Sequence, residues 1–169
     1  MCEYLLYMWQ VEDTLRAFSL DEERLERELL PQFQLTPEQS RQQMQWYVDL
    51  IDMMRREGVT EKGHLQMNQS TLALLSDLHQ ELLHSSRHPF YSAAYYKTLP
   101  YIVELRAKNQ NQQQPEIETC LDAMYGVLML RLQKREISAE TSAAVSQISH
   151  LLALLSDAYK KDKEGTLEL

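Results

Sequence analysis

The chain has 169 residues, only four glycines, and a formal net charge of −8. That length suits one domain with its own core, and a composition poor in Gly but rich in Leu, Met, Glu and Gln favours helix, where unbranched side chains lose little rotamer freedom. The negative balance repels phosphate backbones and argues against a nucleic-acid partner.

The first predicted helix covers about residues 3–18. Tyr4, Tyr7, Met8, Val11, Leu15 and Phe18 recur at helical spacing, and Leu5 and Trp9 widen the apolar face. The opening run "MCEYLLYMWQVED" is apolar only briefly, has no basic leader, and meets Glu3, Glu12 and Asp13. It reads as neither signal peptide nor membrane span. Ser19-Leu20-Asp21-Glu22 reads as a capping box for a short charged helix, with Leu25, Leu29 and Leu30 inward and Pro31 at its end. Thr36-Pro37-Glu38-Gln39 starts the next helix, with Met44, Tyr47, Val48, Ile51 and Met54 on one side and Gly58 as its stop.

Residues 60–68 are ambiguous, because Gly63 weakens any helix there. A clear pattern returns at 70–84, through Thr71, Leu74, Leu75, Leu78 and Leu82. The stretch "SSRHPFYSAAYYKTLPYIVELRAK" combines clustered tyrosines with Pro100, which has no N–H and leaves the Tyr96 carbonyl without a helical partner. Either the helix kinks there or it stops and restarts with Thr98 as cap. A Gln-rich linker then leads to Pro115 and a helix marked by Ile117, Leu121, Met124, Leu128 and Leu132. Ser138 caps the last helix, whose stripe is Val145, Ile148, Leu152, Leu155 and Tyr159, and residues 163–169 are expected to fray. No run alternates with period two, so no sheet is expected. The expectation is a single all-α domain, a bundle of about six or seven amphipathic helices with one bent or interrupted near Pro100.

Few chemistries survive inspection. "HQELLH" places His79 and His84 five apart, on different helix faces, which fails the zinc-protease spacing. The Glu-x-x-His pairs Glu61/His64 and Glu81/His84 are broken by Gly63 or turned toward solvent, so a carboxylate–histidine metal protein is the outsider and no metal ligand is assigned. No nucleophile motif and no phosphate-binding glycine loop is present, so no catalytic residue and no cofactor is assigned. Cys120 falls on an apolar face, where a thiol packs as a small hydrophobe. Cys2 sits at an end expected to fray, and two isolated thiols fit a reducing, cytoplasmic compartment.

The tyrosines admit two accounts. They bury their rings at the bundle edge, or they floor a cleft beside the bend. In the cleft, Tyr91, Tyr95 and Tyr101 form the floor, Lys97 and Arg106 the edge, Trp9 and Trp46 complete it, and Glu104 and His64 add polar contacts.

The segments "EYLLYMWQVED", "EKGHLQMN", "YSAAYYKTLPYIVELRAK" and "EIETCLDAMYGVLMLRLQKREIS" together resemble an uncharacterised all-helical family of the Bacteroidetes, a domain of unknown function. The resemblance implies an all-helical fold and brings no activity, cofactor or site residue. It also implies further polar residues ahead of "EYLLYMWQ", so a shortened start is expected here. The favoured reading is a non-catalytic helical protein that binds another protein or a second copy of itself. Basic residues Arg87, Lys97, Arg106 and Lys108 against an acid-rich first segment support it. The alternative is a small-molecule binder or unrecognised enzyme using the Tyr-rich cleft.

Overall fold

Side-chain caps open the helices that begin at Glu22, Pro37 and Ala139 in the computed structural model, which describes all residues from 1 to 169. Seven helices follow in order: α1 (Cys2–Ala17), α2 (Glu22–Arg24), α3 (Pro37–Glu57), α4 (Gln66–His84), α5 (Pro89–Lys108), α6 (Glu116–Leu132) and α7 (Ala139–Lys163). There is no strand, and the chain is all-α as the periodicity predicts. It divides into two compact units, one of Tyr7–Ser70 and one of Met1–Leu6 with Thr71–Leu169. The boundaries fall inside α1 and inside α4.

In the Tyr7–Ser70 unit, α1 ends where Ser19 and Leu20 enter the left-handed region, with φ of 58° and 54°. The Leu20 N–H reaches back to the Leu15 carbonyl at 2.9 Å, and the Leu20 side chain is buried. This is a Schellman-type closure. It corrects the capping-box expectation: Ser19 closes α1, and Asp21 caps the next helix by accepting from the Arg24 N–H. Downstream of α2 the chain makes a π turn (Leu25–Leu29) and a 3-10 turn (Leu30–Phe33). The wide turn, closed by the Leu30 N–H on the Leu25 carbonyl, lets Leu25, Leu29 and Leu30 all face inward. Pro31 sits in the first turn of the 3-10 segment, and left-handed Gln34 ends it.

The Thr36/Gln39 capping box opens α3 as expected, and Gly58 closes it at φ 71°. The core here is Met8, Val11, Leu15, Leu25, Tyr47, Leu50, Ile51, Met54 and Leu65, among others. Tyr4 and Tyr7 are exposed instead, so the buried face of α1 centres on Leu5, Met8, Trp9, Glu12 and Leu15.

In the other unit, α5 packs against α6 and α7. Its buried side chains are Tyr91, Ala94, Thr98 and Ile102. No restart occurs at Pro100: α5 is one helix, and the Thr98 hydroxyl donates to the Ala94 carbonyl at 2.8 Å from inside it. Pro100 and Tyr96 both face solvent, where leaving one helical carbonyl without its backbone partner costs least. Leu74, expected on the inner stripe of α4, is 50% exposed, and the buried face is Leu75, Leu78, His79 and Leu82.

One further expectation, at the N-terminus, changes. Cys2 is buried, its thiol set on the Leu152 carbonyl and its N–H on the Ser156 hydroxyl. At the other end α7 runs through Lys163, Gly165 turns the chain at φ 68°, and Glu168 meets Arg87 and His88.

Candidate functional site

Three polar or open regions carry the residues singled out by sequence. The first is a network around His79. Its imidazole is 1% exposed, with Nδ1 at 2.6 Å from the Tyr91 hydroxyl and Nε2 at 2.9 Å from Glu116 Oε2. The Tyr95 hydroxyl donates to Glu116 Oε1 at 2.9 Å. Glu116 opens α6, where free backbone N–H groups favour a negative charge. The hydrogen bond from His79 holds its carboxyl below the ordinary carboxylate range, with Tyr95 adding to the effect against a partial cost of burial. Burial raises the Tyr91 phenol, and burial with the Glu116 hydrogen bond pushes Tyr95 up to about 12.

Nε2–H donates to one oxygen of the carboxylate, Tyr95 O–H donates to the other, and Tyr91 O–H shares a hydrogen bond with Nδ1. Every member has its partner, so the network fixes α4, α5 and α6 to one another and offers no idle base. Cys120 lies one turn along α6 from Glu116, fully buried, its thiol pushed up to about 12 by burial. At that value it is protonated and unreactive at neutral pH. A polar cavity of about 310 Å³ adjoins the network, lined in part by Ser76, His79, Arg106, Gln114 and Glu116, and Arg106 donates to the Gln114 carbonyl across it.

The second region is in the Tyr7–Ser70 unit. Glu12 is 1% exposed. Its Oε1 accepts from the Leu65 N–H at 3.0 Å and from Asn68 Nδ2 at 2.7 Å, and His64 Nδ1 lies 2.7 Å from Oε2. The His64 ring stacks on Trp9 at 4.5 Å. One turn on, Arg16 donates to the carbonyls of Val59 and Gly63. Two side chains of α1 thus bind the 59–65 loop, which Gly63 turns at φ 89°. Trp46 stacks with Tyr7 in the same unit, 6.4 Å between centroids.

The third region is the surface of α5. On one flank, Tyr101 and Glu104 join Val127, Val145 and Ile148 around a mostly apolar groove of about 470 Å³ between α5, α6 and α7. Gly126 leaves open space there: a Cβ at that position would meet nothing within 4 Å. On the side of α5 away from α6 and α7, Pro89, Ala93, Tyr96, Pro100, Val103 and Ala107 are all exposed, Tyr96 at 67% and Val103 at 58%. Apart from the Tyr95 ring beside Tyr96 on the same helix, such a row is apolar surface exposed to solvent.

Of the nine residues read from sequence, those on α5 divide between the two regions that the helix borders. Tyr91, Tyr95 and Arg106 attend the His79 network. Tyr101 and Glu104 line the groove, Glu104 also pairing with Lys108 at 2.7 Å. Lys97 is exposed on α5 without an ion pair. Trp9, Trp46 and His64 belong to the Tyr7–Ser70 unit. The pattern missed His79, Glu116, Glu12 and Asn68. Helical spacing contained the signal for two of them, since Glu12 follows Leu5, Met8 and Trp9 on one face and His79 sits with Leu75, Leu78 and Leu82.

No helix is long and apolar enough to cross a membrane. A search of curated proteins finds no match, and a search of solved structures finds none. A family model described as a domain of unknown function, DUF4924, matches residues 1–166. The chain belongs to that family.

Proposed function

We propose that this chain is a non-catalytic cytoplasmic protein, of a Bacteroidetes family, that acts by binding another protein chain through the outer face of α5. The carrying observation is the row Pro89, Ala93, Tyr96, Pro100, Val103 and Ala107, exposed along the whole length of one helix. The opposite face of the same helix is buried as well. A helix apolar on two sides needs two partners, and the chain supplies one. The closed hydrogen bonding of the His79 network and the high thiol pKa of Cys120 support a structural role for the buried polar groups.

A photo-crosslinking residue placed in turn at Tyr96, at Val103 and at exposed His150 of α7 tests this in the native cell. Adducts to a protein chain are expected from the two α5 positions and not from His150. Failure of both α5 positions to give an adduct overturns the reading.

A second reading is favoured by the α5/α6/α7 groove. Its size matches sites for small apolar ligands, with Tyr101 and Glu104 as polar contacts at the edge. Gly126→Leu fills that space. On this reading the chain binds an environment-sensitive apolar dye, Gly126→Leu abolishes the binding, and Tyr96→Glu leaves it intact. Equal dye binding by the wild type and Gly126→Leu removes it.

A further inference from the structure

The outer row of α5 has a period. From Pro89 to Ala107 its members are spaced four, three, four, three and four residues apart. That alternation is the seam of a helix that pairs lengthwise with another helix. Immediately after the seam residues Tyr96 and Val103 stand Lys97 and Glu104, one heptad apart on the same flank, both exposed and opposite in charge. Residues on the same flank face each other only when two helices run antiparallel. In a parallel pair that flank meets the other one, where Ser92, Leu99 and Arg106 stand; Arg106 is held by the Gln114 carbonyl of its own chain, and Lys97 finds no acid there.

From Tyr96 to Ala107 the seam also fits itself in size. An antiparallel register that sets Tyr96 on Ala107 of a second copy sets Val103 on Pro100 of that copy. The largest side chain then meets the smallest. In this register Lys97 lies two residues, about 3 Å of helical rise, from the level of Glu104 on the facing helix. Both contacts occur twice, as a two-fold axis requires. Glu104 already touches Lys108 within its own helix, but exposed pairs of that kind are weak and exchange easily.

We infer that the partner of α5 is α5 of a second copy, antiparallel, with two reciprocal Lys97–Glu104 contacts flanking the seam. This rests on the reading of the outer face as the docking surface and names its occupant. One helix per copy is a small interface, so the pair is reversible, with Kd on the order of micromolar.

Sedimentation equilibrium of the full chain across the micromolar range tests it. The wild type is expected to pass from monomer to dimer. Lys97→Glu alone and Glu104→Lys alone each set like charges together and weaken the dimer by about tenfold or more. The double variant Lys97→Glu/Glu104→Lys exchanges the charges and restores the wild-type constant to within about twofold. Both positions are exposed, and unchanged melting of each variant by circular dichroism shows that folding is not the cause. A wild type that stays monomeric, or a double variant no stronger than the singles, overturns the inference. If the wild type is monomeric while a crosslinker at Tyr96 still captures a different protein, the second copy is excluded and the docking face stands. If neither self-association nor capture occurs, both fall.

Discussion

Glu116 shows how one side chain ties three helices and sets an acid limit on stability. Its carboxyl titrates below the ordinary value of 4.5 because His79 and Tyr95 donate to the charged form. A depressed carboxyl stabilises the fold fully above its unfolded value and loses that contribution as pH falls through the folded one. Stability should therefore drop below pH 4.5, and urea titrations of Glu116→Gln should show a shallower fall over that range than the wild type. His79→Ala removes a buried partner from both Tyr91 and Glu116 and should cost about 3 kcal/mol by the same measurement. Spacing sets His79 beside Leu75, Leu78 and Leu82, but it offers Leu74 for the same inner stripe, so the buried face of α4 stays open until the packing is known. Leu74 is exposed and His79 is not. The Glu12 carboxylate was missed for a related reason: a charge on an apolar face reads as a border residue until the 59–65 loop supplies its donors. Glu12→Ala should speed amide hydrogen exchange of Leu65 by freeing its N–H, with exchange in α7 unchanged.

Elements were far more legible than sites, because caps and periodicity act over a few residues. Thr36, Pro37 and Gly58 delimit α3 where the sequence places them, and Ser138 caps α7. The errors lie where two local signals compete. Ser19 and Asp21 are both good caps, and the choice depends on Leu20 being buried against the core, which sequence alone does not show. Asp21→Ala should destabilise by about 1 kcal/mol, whereas Ser19→Gly should stabilise by up to about 1 kcal/mol, since Ser19 holds φ 58°. Thermal melts of the two variants should thus move in opposite directions. Proline gave the other ambiguity: Pro100 sits inside α5 because it points to solvent. The same orientation hid the seam, since tyrosines and prolines in one stretch suggest a bend and a cleft before they suggest a heptad.

At the scale of the whole molecule, fold class and family follow from the chain, while the proposed function rests on a surface. An all-helical chain of about six or seven helices without a strand is readable from hydrophobic spacing, because each stripe must be covered, and the structure has seven. A docking face is harder to read, since an uncovered stripe and a covered one look alike until the neighbours are known. Hydroxyl-radical footprinting, in native cells and in dilute purified protein, measures that covering directly. Tyr96 and Val103 are predicted to oxidise readily in dilute protein and to be protected in the cell, with Leu74 of α4 equally reactive in both. Tyr96 and Val103 as reactive in the cell as in dilute solution would contradict the account.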